Sequence, residues 1–211
     1  MSLSISWHGL ATCTITGPGV TIITDPVGPT PGLKAKRLSG DVVLASTPAA
    51  AVAAVRGIGD VEPFVITGPG EYEVKGAFIY GAAAPAPGNQ PAIVVYRIEL
   101  DHLSVVYLGL LNAPPGDEFA SLLERTDVLI LPVGGGHALT AAQAKAVIAL
   151  VEPRVVVPIH YGLPGLKLPL ESLAKACATL GLTVSETVPK LKVSRKDLPA
   201  DSLRLVVVEP T

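Results

Sequence analysis

Short runs of apolar residues, broken by glycine, proline or charge, set the pattern of this chain. Residues 127–133 and 154–159 are almost entirely apolar, which is typical of strands buried on both faces of a sheet. Between them, Thr140 and Gln143 form a capping-box pattern, and apolar residues then recur at helical spacing as far as Pro153. The pattern therefore predicts a strand, helix, strand unit whose two strands are parallel.

Other runs predict strands and helices on both sides of this unit. The expected strands are 3–7, 12–16, 20–24, 41–45, 64–67, 71–75, 77–81, 92–100, 103–108, 183–186, 191–194 and 203–208. Helices are expected at 49–55, 116–124 and 170–180, and a flexible loop at 82–91. Groups of strands separated by a helix and followed by the parallel unit indicate two mixed sheets packed face to face, with helices outside.

Composition limits the class of protein. The 211 residues fit one domain, so we expect a single domain over 1–211. Although 49% of the residues are hydrophobic, no apolar stretch reaches the roughly 18 residues of a membrane span, and we expect no membrane partner. A net charge of −2 with 4% aromatic residues argues against nucleic-acid binding.

Cysteine use and the amino-terminal sequence predict a compartment. Cys13 and Cys177 lie far apart and form no CxxC pair, which is typical of reduced thiols. No basic segment followed by a long apolar segment marks an export signal at the amino terminus. A cytoplasmic protein is therefore expected.

A series of segments carries a family resemblance. They are ISW at 5–7 with Gly9, TIITDP at 21–26, GDVV at 40–43, GPGEYEVKG at 68–76, YLG at 107–109, DVLILPVGGG at 127–136 and VPIHY at 157–161. In order and local sequence they resemble the metallo-β-lactamase-fold hydrolases, in particular the branch of ascorbate-6-phosphate lactonase-like proteins. The resemblance implies an α/β (α+β) fold, a four-layer αβ/βα sandwich of the metallo-β-lactamase type.

The resemblance also implies where metal ligands would lie. In the family, an H-x-H-x-D-H motif, a bridging aspartate and further histidines hold two ions, zinc or manganese, that polarise the substrate and activate water. Of these ligands only His160 is matched here, and no histidine lies in 82–88. Other residues stand at the remaining positions, namely Leu10, Thr47, Ala49, Ala51, Val52 and Leu110. The sequence therefore predicts that this chain has no metal site and no cofactor.

Four residues are candidates for binding a ligand. His160 and Tyr161 follow a strand at its carboxyl end, where open α/β sheets place their ligands. His160 either contacts a ligand or is held by a hydrogen bond, and packing is the simpler role for Tyr161. Asp25 either supports the ligand loop or caps backbone amides near Ser46. His8 either reaches the same site or lies at the surface.

Three residues are candidates for catalysis. The hydroxyl groups of Ser46 and Thr47 would act as nucleophile with His160 as base, although the sequence names no third group to orient the imidazole.

Three hypotheses about function follow from these residues. In the first, the chain is a non-catalytic binding or assembly module that has lost the two-metal site. In the second, it is a hydrolase with residual or metal-independent activity on a small ester, lactone or phosphoester. In the third, its apolar surface makes it a subunit of an oligomer, with a homo-oligomer as one form. The small molecule that it would bind is not identified by the sequence.

Overall fold

The computed structural model describes residues 2–34, 36–48, 50, 52–84, 91–200 and 202–211. The strands are β1 (Leu3–Trp7), β2 (Cys13–Gly17), β3 (Val20–Thr24), β4 (Leu38–Ser39), β5 (Val42–Leu44), β6 (Val55–Arg56), β7 (Phe64–Ile66), β8 (Gly70–Val74), β9 (Ala77–Ala84), β10 (Ile93–Leu100), β11 (Leu103–Tyr107), β12 (Val128–Pro132), β13 (Val155–Ile159), β14 (Val184–Val188), β15 (Leu191–Val193) and β16 (Arg204–Val208). The α-helices are α1 (Ala120–Leu123), α2 (Ala141–Val151) and α3 (Leu173–Leu180). Short 3-10 helices span Val52–Ala54, Asp117–Phe119 and Arg195–Asp197.

Two mixed sheets form the centre of the fold. The first has six strands in the order β15-β1-β2-β3-β5-β7, and the second has eight in the order β14-β16-β13-β12-β11-β10-β9-β8. Apolar side chains from both sheets join one continuous buried cluster, so the sheets pack face to face. This is the predicted four-layer αβ/βα sandwich, and the fold class inferred from the sequence is confirmed.

The unit β12-α2-β13 is formed as predicted. Its two strands are parallel over five residue pairs, and every residue of both strands is buried. The Thr140 side chain accepts from the Gln143 amide, and the Gln143 side chain accepts from the Thr140 amide, which closes the capping box. Helix α2 ends at Glu152, whose left-handed conformation turns the chain toward Pro153.

Some predicted elements differ from the structure. Residues 82–84 extend strand β9 and were expected in a loop, while positions 85–90 of that loop lie outside the described residues. The expected helix at 49–55 is a 3-10 turn at Val52–Ala54 that leads into β6, and positions 49 and 51 are not described. Alanine-rich sequence favours a helix locally, but pairing of β6 with β4 determines the backbone here. In the described ranges, no helix is long and apolar enough to cross a lipid bilayer.

The glycine-rich turn after β12 is required by a close approach of two backbones. A Cβ atom placed on Gly134 would lie 2.2 Å from the carbonyl oxygen of His160 and 2.7 Å from Cα of Tyr161. Both neighbours are backbone atoms at the end of β13, so neither moves aside easily. Gly134 therefore lets the turn after β12 pack against the residues that follow β13.

We expect Gly134→Ala to lower the free energy of unfolding by about 1–3 kcal/mol, because the new methyl group overlaps the His160 backbone. Chemical denaturation monitored by circular dichroism would measure the change. Gly68→Ala is the matched control, since no atom lies within 4 Å of a Cβ at Gly68, and its effect should stay within about 0.5 kcal/mol. Equal effects of the two substitutions would contradict this account of the turn.

Candidate functional site

A cavity of about 180 Å³ opens at one edge of the sandwich. Each group of its lining residues follows the carboxyl end of a strand: β1, β3, β5, β11 or β13. The lining residues are Leu10, Ala11, Asp25, Pro26, Val27, Thr47, Ala50, Leu110 and His160. Strand ends of this kind are where α/β proteins usually bind ligands. Four positions that the resemblance assigned to metal ligands, 10, 47, 110 and 160, meet in this one cavity.

His160 supplies an imidazole to the cavity that the protein leaves unpaired. The residue is only 7% exposed, and its Nδ1 is buried without a hydrogen-bond partner among the described residues. Burial, and then the charge of His137, lower the pKa of His160 to about 4. The ring is therefore neutral at pH 7, and a neutral imidazole nitrogen accepts a proton or a hydrogen bond.

The backbone around His160 is held by the loop after β1. The Leu10 carbonyl accepts a hydrogen bond from the His160 amide at 3.0 Å and another from Trp7 Nε1 at 2.8 Å. The Trp7 ring packs on Tyr161 with centroids 4.7 Å apart. The structure thus places Tyr161 against Trp7, and Tyr161 is not among the residues that line the cavity.

Asp25 is the buried centre of a hydrogen-bond network beside the cavity. Its Oδ1 accepts from the Ser46 amide at 2.6 Å, and its Oδ2 accepts from Ser46 Oγ at 2.5 Å. The hydroxyl of Tyr107 lies 2.6 Å from Oδ2. Asp25 therefore links the loop after β3 to the loop after β5 and to the end of β11. The expectation that Asp25 caps backbone amides near Ser46 is confirmed.

The hydrogen count around Tyr107 is consistent with a protonated Asp25. The Tyr107 hydroxyl has one hydrogen but lies near two acceptors, the Ala11 carbonyl at 2.7 Å and Asp25 Oδ2 at 2.6 Å. If Asp25 is protonated and donates to Tyr107, then Tyr107 donates to Ala11 and every group is satisfied. Burial raises the pKa of Asp25 more than its hydrogen bonds lower it. This shift also favours the protonated carboxyl group. Tyr107 was missed in the sequence analysis because its segment showed only a buried strand.

The two hydroxyl candidates differ in access. The Ser46 side chain is fully buried, donates to Asp25 and does not line the cavity. Thr47 does line the cavity, together with His160. Of the two hydroxyl groups proposed as nucleophiles, that of Thr47 is therefore the one placed to meet a ligand.

The structure places His8 away from this cavity. Its Nδ1 lies 2.8 Å from Thr211 Oγ1 and its Nε2 lies 2.7 Å from Thr14 Oγ1, so both ring nitrogens are engaged. Burial, and then the charges of Lys36 and Lys190, lower the pKa of His8 to about 4. His8 therefore shares the pKa of His160 but not its location.

Residues 4–160 match the family described as the Beta-lactamase superfamily domain. The chain belongs to this family. The sequence resemblance to the metallo-β-lactamase superfamily is thereby confirmed, and the match ends at His160, one of the residues that line the cavity.

Some of the proteins similar to this member of the Beta-lactamase superfamily are named as metal-dependent hydrolases. A UPF0173 metal-dependent hydrolase of Archaeoglobus fulgidus is 29% identical over 96 residues, covering 45% of this chain and 42% of the relative. A UPF0173 metal-dependent hydrolase of Pyrococcus horikoshii is 30% identical over 98 residues, covering 44% of each. The matched region thus spans less than half the length of these curated relatives.

Solved structures support the same fold. A Thermotoga maritima protein assigned to the Zn-dependent hydrolases of the metallo-beta-lactamase superfamily superposes with a TM-score of 0.80 at 28% identity, covering 98% of both chains. Igni18, a metallo hydrolase of Ignicoccus hospitalis, superposes with a TM-score of 0.66 at 18% identity, covering 100% of this chain and 96% of the other. At that identity the second likeness shows the fold alone.

These relatives correct the function expected from the sequence. A non-catalytic binding or assembly module without a cofactor was predicted, whereas the relatives are metal-dependent hydrolases, so that prediction is wrong. The types of side chain at the aligned positions do not determine how far apart the loops lie. In the structure the loops lie far enough apart to leave an open cavity between them.

The names of the relatives imply a metal, but the donors described around this cavity are few. His160 Nδ1 is a free nitrogen donor, whereas both carboxylate oxygens of Asp25 are engaged within the protein. Within the described ranges, no three or more His, Cys, Asp or Glu side chains gather into a group. These donors alone do not fit a metal centre of three or four protein ligands. Their number does not decide which reaction the cavity supports.

Proposed function

We propose that this member of the Beta-lactamase superfamily is a hydrolase that cleaves a small, uncharged ester or lactone in the cavity at His160. One observation carries the proposal: an open cavity at the carboxyl ends of the strands contains a buried, neutral imidazole with no partner in the described protein. The names of the relatives support the reaction class. This hydrolase replaces the non-catalytic module expected from the sequence.

The walls of the cavity support an uncharged substrate. Most of the described lining residues are apolar, and no lysine or arginine is among them. Asp25 is the one carboxyl group in the set, and it would repel an anion if it were ionised. A phosphoester brings negative charge that these walls do not neutralise. An ester or lactone carries none, so we favour it over the phosphoester.

His160 is the residue that we expect to move a proton. A water in the cavity would attack the substrate carbonyl while the His160 ring accepts the water proton. The tetrahedral adduct would then break the bond to the alcohol oxygen, and His160 would return the proton to that oxygen. The products are an acid and an alcohol, joined in one molecule when the substrate is a lactone. Thr47 lines the same cavity and would contact the substrate.

Further expectations about the whole protein are proposals of the same kind. The two free cysteines support a cytoplasmic location. A single domain over 1–211, a homo-oligomer and the absence of nucleic-acid and membrane partners remain predictions.

An activity screen of purified protein tests the proposed reaction. We expect p-nitrophenyl acetate and γ-butyrolactone to be hydrolysed at least about tenfold faster, in kcat/KM, than bis(p-nitrophenyl) phosphate, because only the phosphodiester is charged. Elemental analysis, with activity assayed before and after dialysis against a chelator, tests whether the metal dependence named for the relatives extends to this chain. Faster hydrolysis of the phosphodiester would contradict the proposed substrate class.

A further inference from the structure

A second cleft, of about 540 Å³, lies where strands of the eight-stranded sheet begin, at the end opposite to the cavity at His160. Strands β11, β12 and β13 are parallel neighbours, and residues just before or at their amino ends line the cleft: Ser104, Asp127 and Arg154. Arg154 and His160 stand at the two ends of β13, so about 20 Å of extended strand separates the cleft from the cavity at His160. The cleft is therefore a separate site.

Arginine side chains dominate the chemistry of this cleft. Among the described residues, four guanidinium groups and three carboxylates line it, which gives these residues a net charge of +1 with His102 neutral. Arg97 is committed, since it pairs with Glu99 at 3.0 Å and donates to the Glu124 carbonyl at 2.6 Å. Arg154 is held loosely, with 3.9 Å between its Nε and Asp127 Oδ1.

Two further guanidinium groups remain available to a ligand. Arg125 makes no hydrogen bond or ion pair with any described residue, and it follows helix α1 in a left-handed conformation. Arg195 makes one contact of 3.3 Å, from Nη1 to the His102 carbonyl. Glu152 supplies an opposing charge in the same cleft. A cleft that holds uncommitted arginines is suited to an oxyanion, because the guanidinium fork matches its oxygens in pairs.

Ser104 provides an independent sign of a ligand. The residue is 7% exposed and lines the cleft, and its Oγ is buried with no hydrogen-bond partner among the described residues. Its amide is satisfied by Asp127 Oδ2 at 3.0 Å, so only the hydroxyl lacks a partner. A buried hydroxyl without a partner destabilises the folded state. A change of the Ser104 side-chain rotamer would bring this hydroxyl to an acceptor bound in the cleft.

We propose that this cleft binds a phosphorylated small molecule, with Arg125 and Arg195 on the phosphate oxygens and the Ser104 hydroxyl donating to the bound molecule. The volume exceeds what one phosphate group fills and lies in the range of small-molecule sites. Such a site is independent of hydrolysis at His160, because no lysine or arginine is among the described residues that line the cavity there.

Titration calorimetry of the full chain with inorganic pyrophosphate, in about 0.15 M salt, tests the proposal. We expect saturable binding, and a loss of affinity of about tenfold or more in Arg125→Gln and in Arg195→Gln, because each removes a charge-assisted hydrogen bond. Arg37→Gln is the matched control, since Arg37 is exposed outside the cleft and carries the same charge. Its affinity should equal that of the wild type.

Ser104→Ala separates binding from folding. If the hydroxyl serves a ligand, this variant binds pyrophosphate more weakly while its unfolding temperature without pyrophosphate is unchanged or higher. Citrate, titrated in parallel, distinguishes phosphate from carboxylate and should bind more weakly. Equal affinity for citrate and pyrophosphate, no binding at millimolar pyrophosphate, or equal losses in Arg37→Gln and Arg125→Gln would each overturn the proposal.

Discussion

Asp25→Ala is expected to lower the free energy of unfolding by about 3–5 kcal/mol. The substitution leaves two buried donors without their acceptor, the Ser46 amide and Ser46 Oγ, whereas the Tyr107 hydroxyl keeps its bond to the Ala11 carbonyl. Each unsatisfied buried group destabilises the folded state by about 1–3 kcal/mol. The loss would appear as a fall in melting temperature of about 10 °C, measured by calorimetry or circular dichroism.

Asp25→Asn is the control that tests the proton on Asp25. An asparagine amide can donate to the Tyr107 oxygen as a protonated carboxyl does, so Tyr107 keeps its bond to the Ala11 carbonyl. We therefore expect Asp25→Asn to be destabilised by only about 1–2 kcal/mol. A loss as large as that of Asp25→Ala would show that the network needs an ionised carboxylate, contrary to the hydrogen count.

The pH dependence of Asp25→Asn has a definite sign. Burial raises the pKa of Asp25 in the folded protein above its unfolded value, so the folded state binds the proton more tightly. The stability that this carboxyl contributes is then complete below the unfolded pKa and is lost as pH rises through the folded pKa. The asparagine variant lacks this titration. As pH rises, the wild type should therefore lose stability relative to the variant.

The main architecture could be predicted from the sequence because the parallel unit has strong local signals. Apolar runs at 127–133 and 154–159, with the capping box at Thr140, determine β12, α2 and β13 without help from distant residues. The two-residue strands β4 and β6 could not be predicted, because they form only by pairing with each other. For the same reason the alanine-rich stretch before β6 was mistaken for a helix.

The candidate site could be predicted only in part from the sequence. Position at the carboxyl end of a strand located His160, and the sequence resemblance placed Asp25 near the loop that contains Ser46, which it contacts. Tyr107 and the openness of the cavity depend on how five loops pack, which residue identity alone does not determine. Functional loss was therefore inferred from missing side chains at aligned positions, while the cavity that those positions surround was not foreseen.

His160→Asn is expected to reduce kcat/KM for ester or lactone hydrolysis by about 10²–10⁴-fold, the usual contribution of a positioned general base. Asparagine suits the test because His160 has a positive φ of 53°, and asparagine tolerates the left-handed conformation. The amide is polar but accepts no proton at neutral pH. Rates of p-nitrophenyl acetate hydrolysis by the two proteins, corrected for the buffer reaction, measure the difference.

His8→Asn is the matched control for the same chemistry. His8 also has its pKa lowered to about 4, but both of its ring nitrogens bond threonine hydroxyl groups away from the cavity. We expect this variant to keep the activity of the wild type at pH 7. Equal activity in wild type and His160→Asn, or equal losses in the two variants, would remove His160 from the proposed reaction.

The pH profile separates a base at His160 from a residue that only supports the fold. Because burial lowers the pKa of His160 to about 4, the neutral base persists as the pH falls toward 5, and kcat/KM should decline only below that point. The folding stability also depends on this proton, since the unfolded chain binds it near pH 6.5 and the folded chain binds it only near pH 4. Folding free energy contributed by the neutral ring is therefore complete above pH 6.5 and falls by about 3 kcal/mol as the pH drops through that window. His160→Asn should be inactive at pH 7 yet lose less stability than the wild type between pH 6.5 and 4, a combination that a purely structural histidine would not produce.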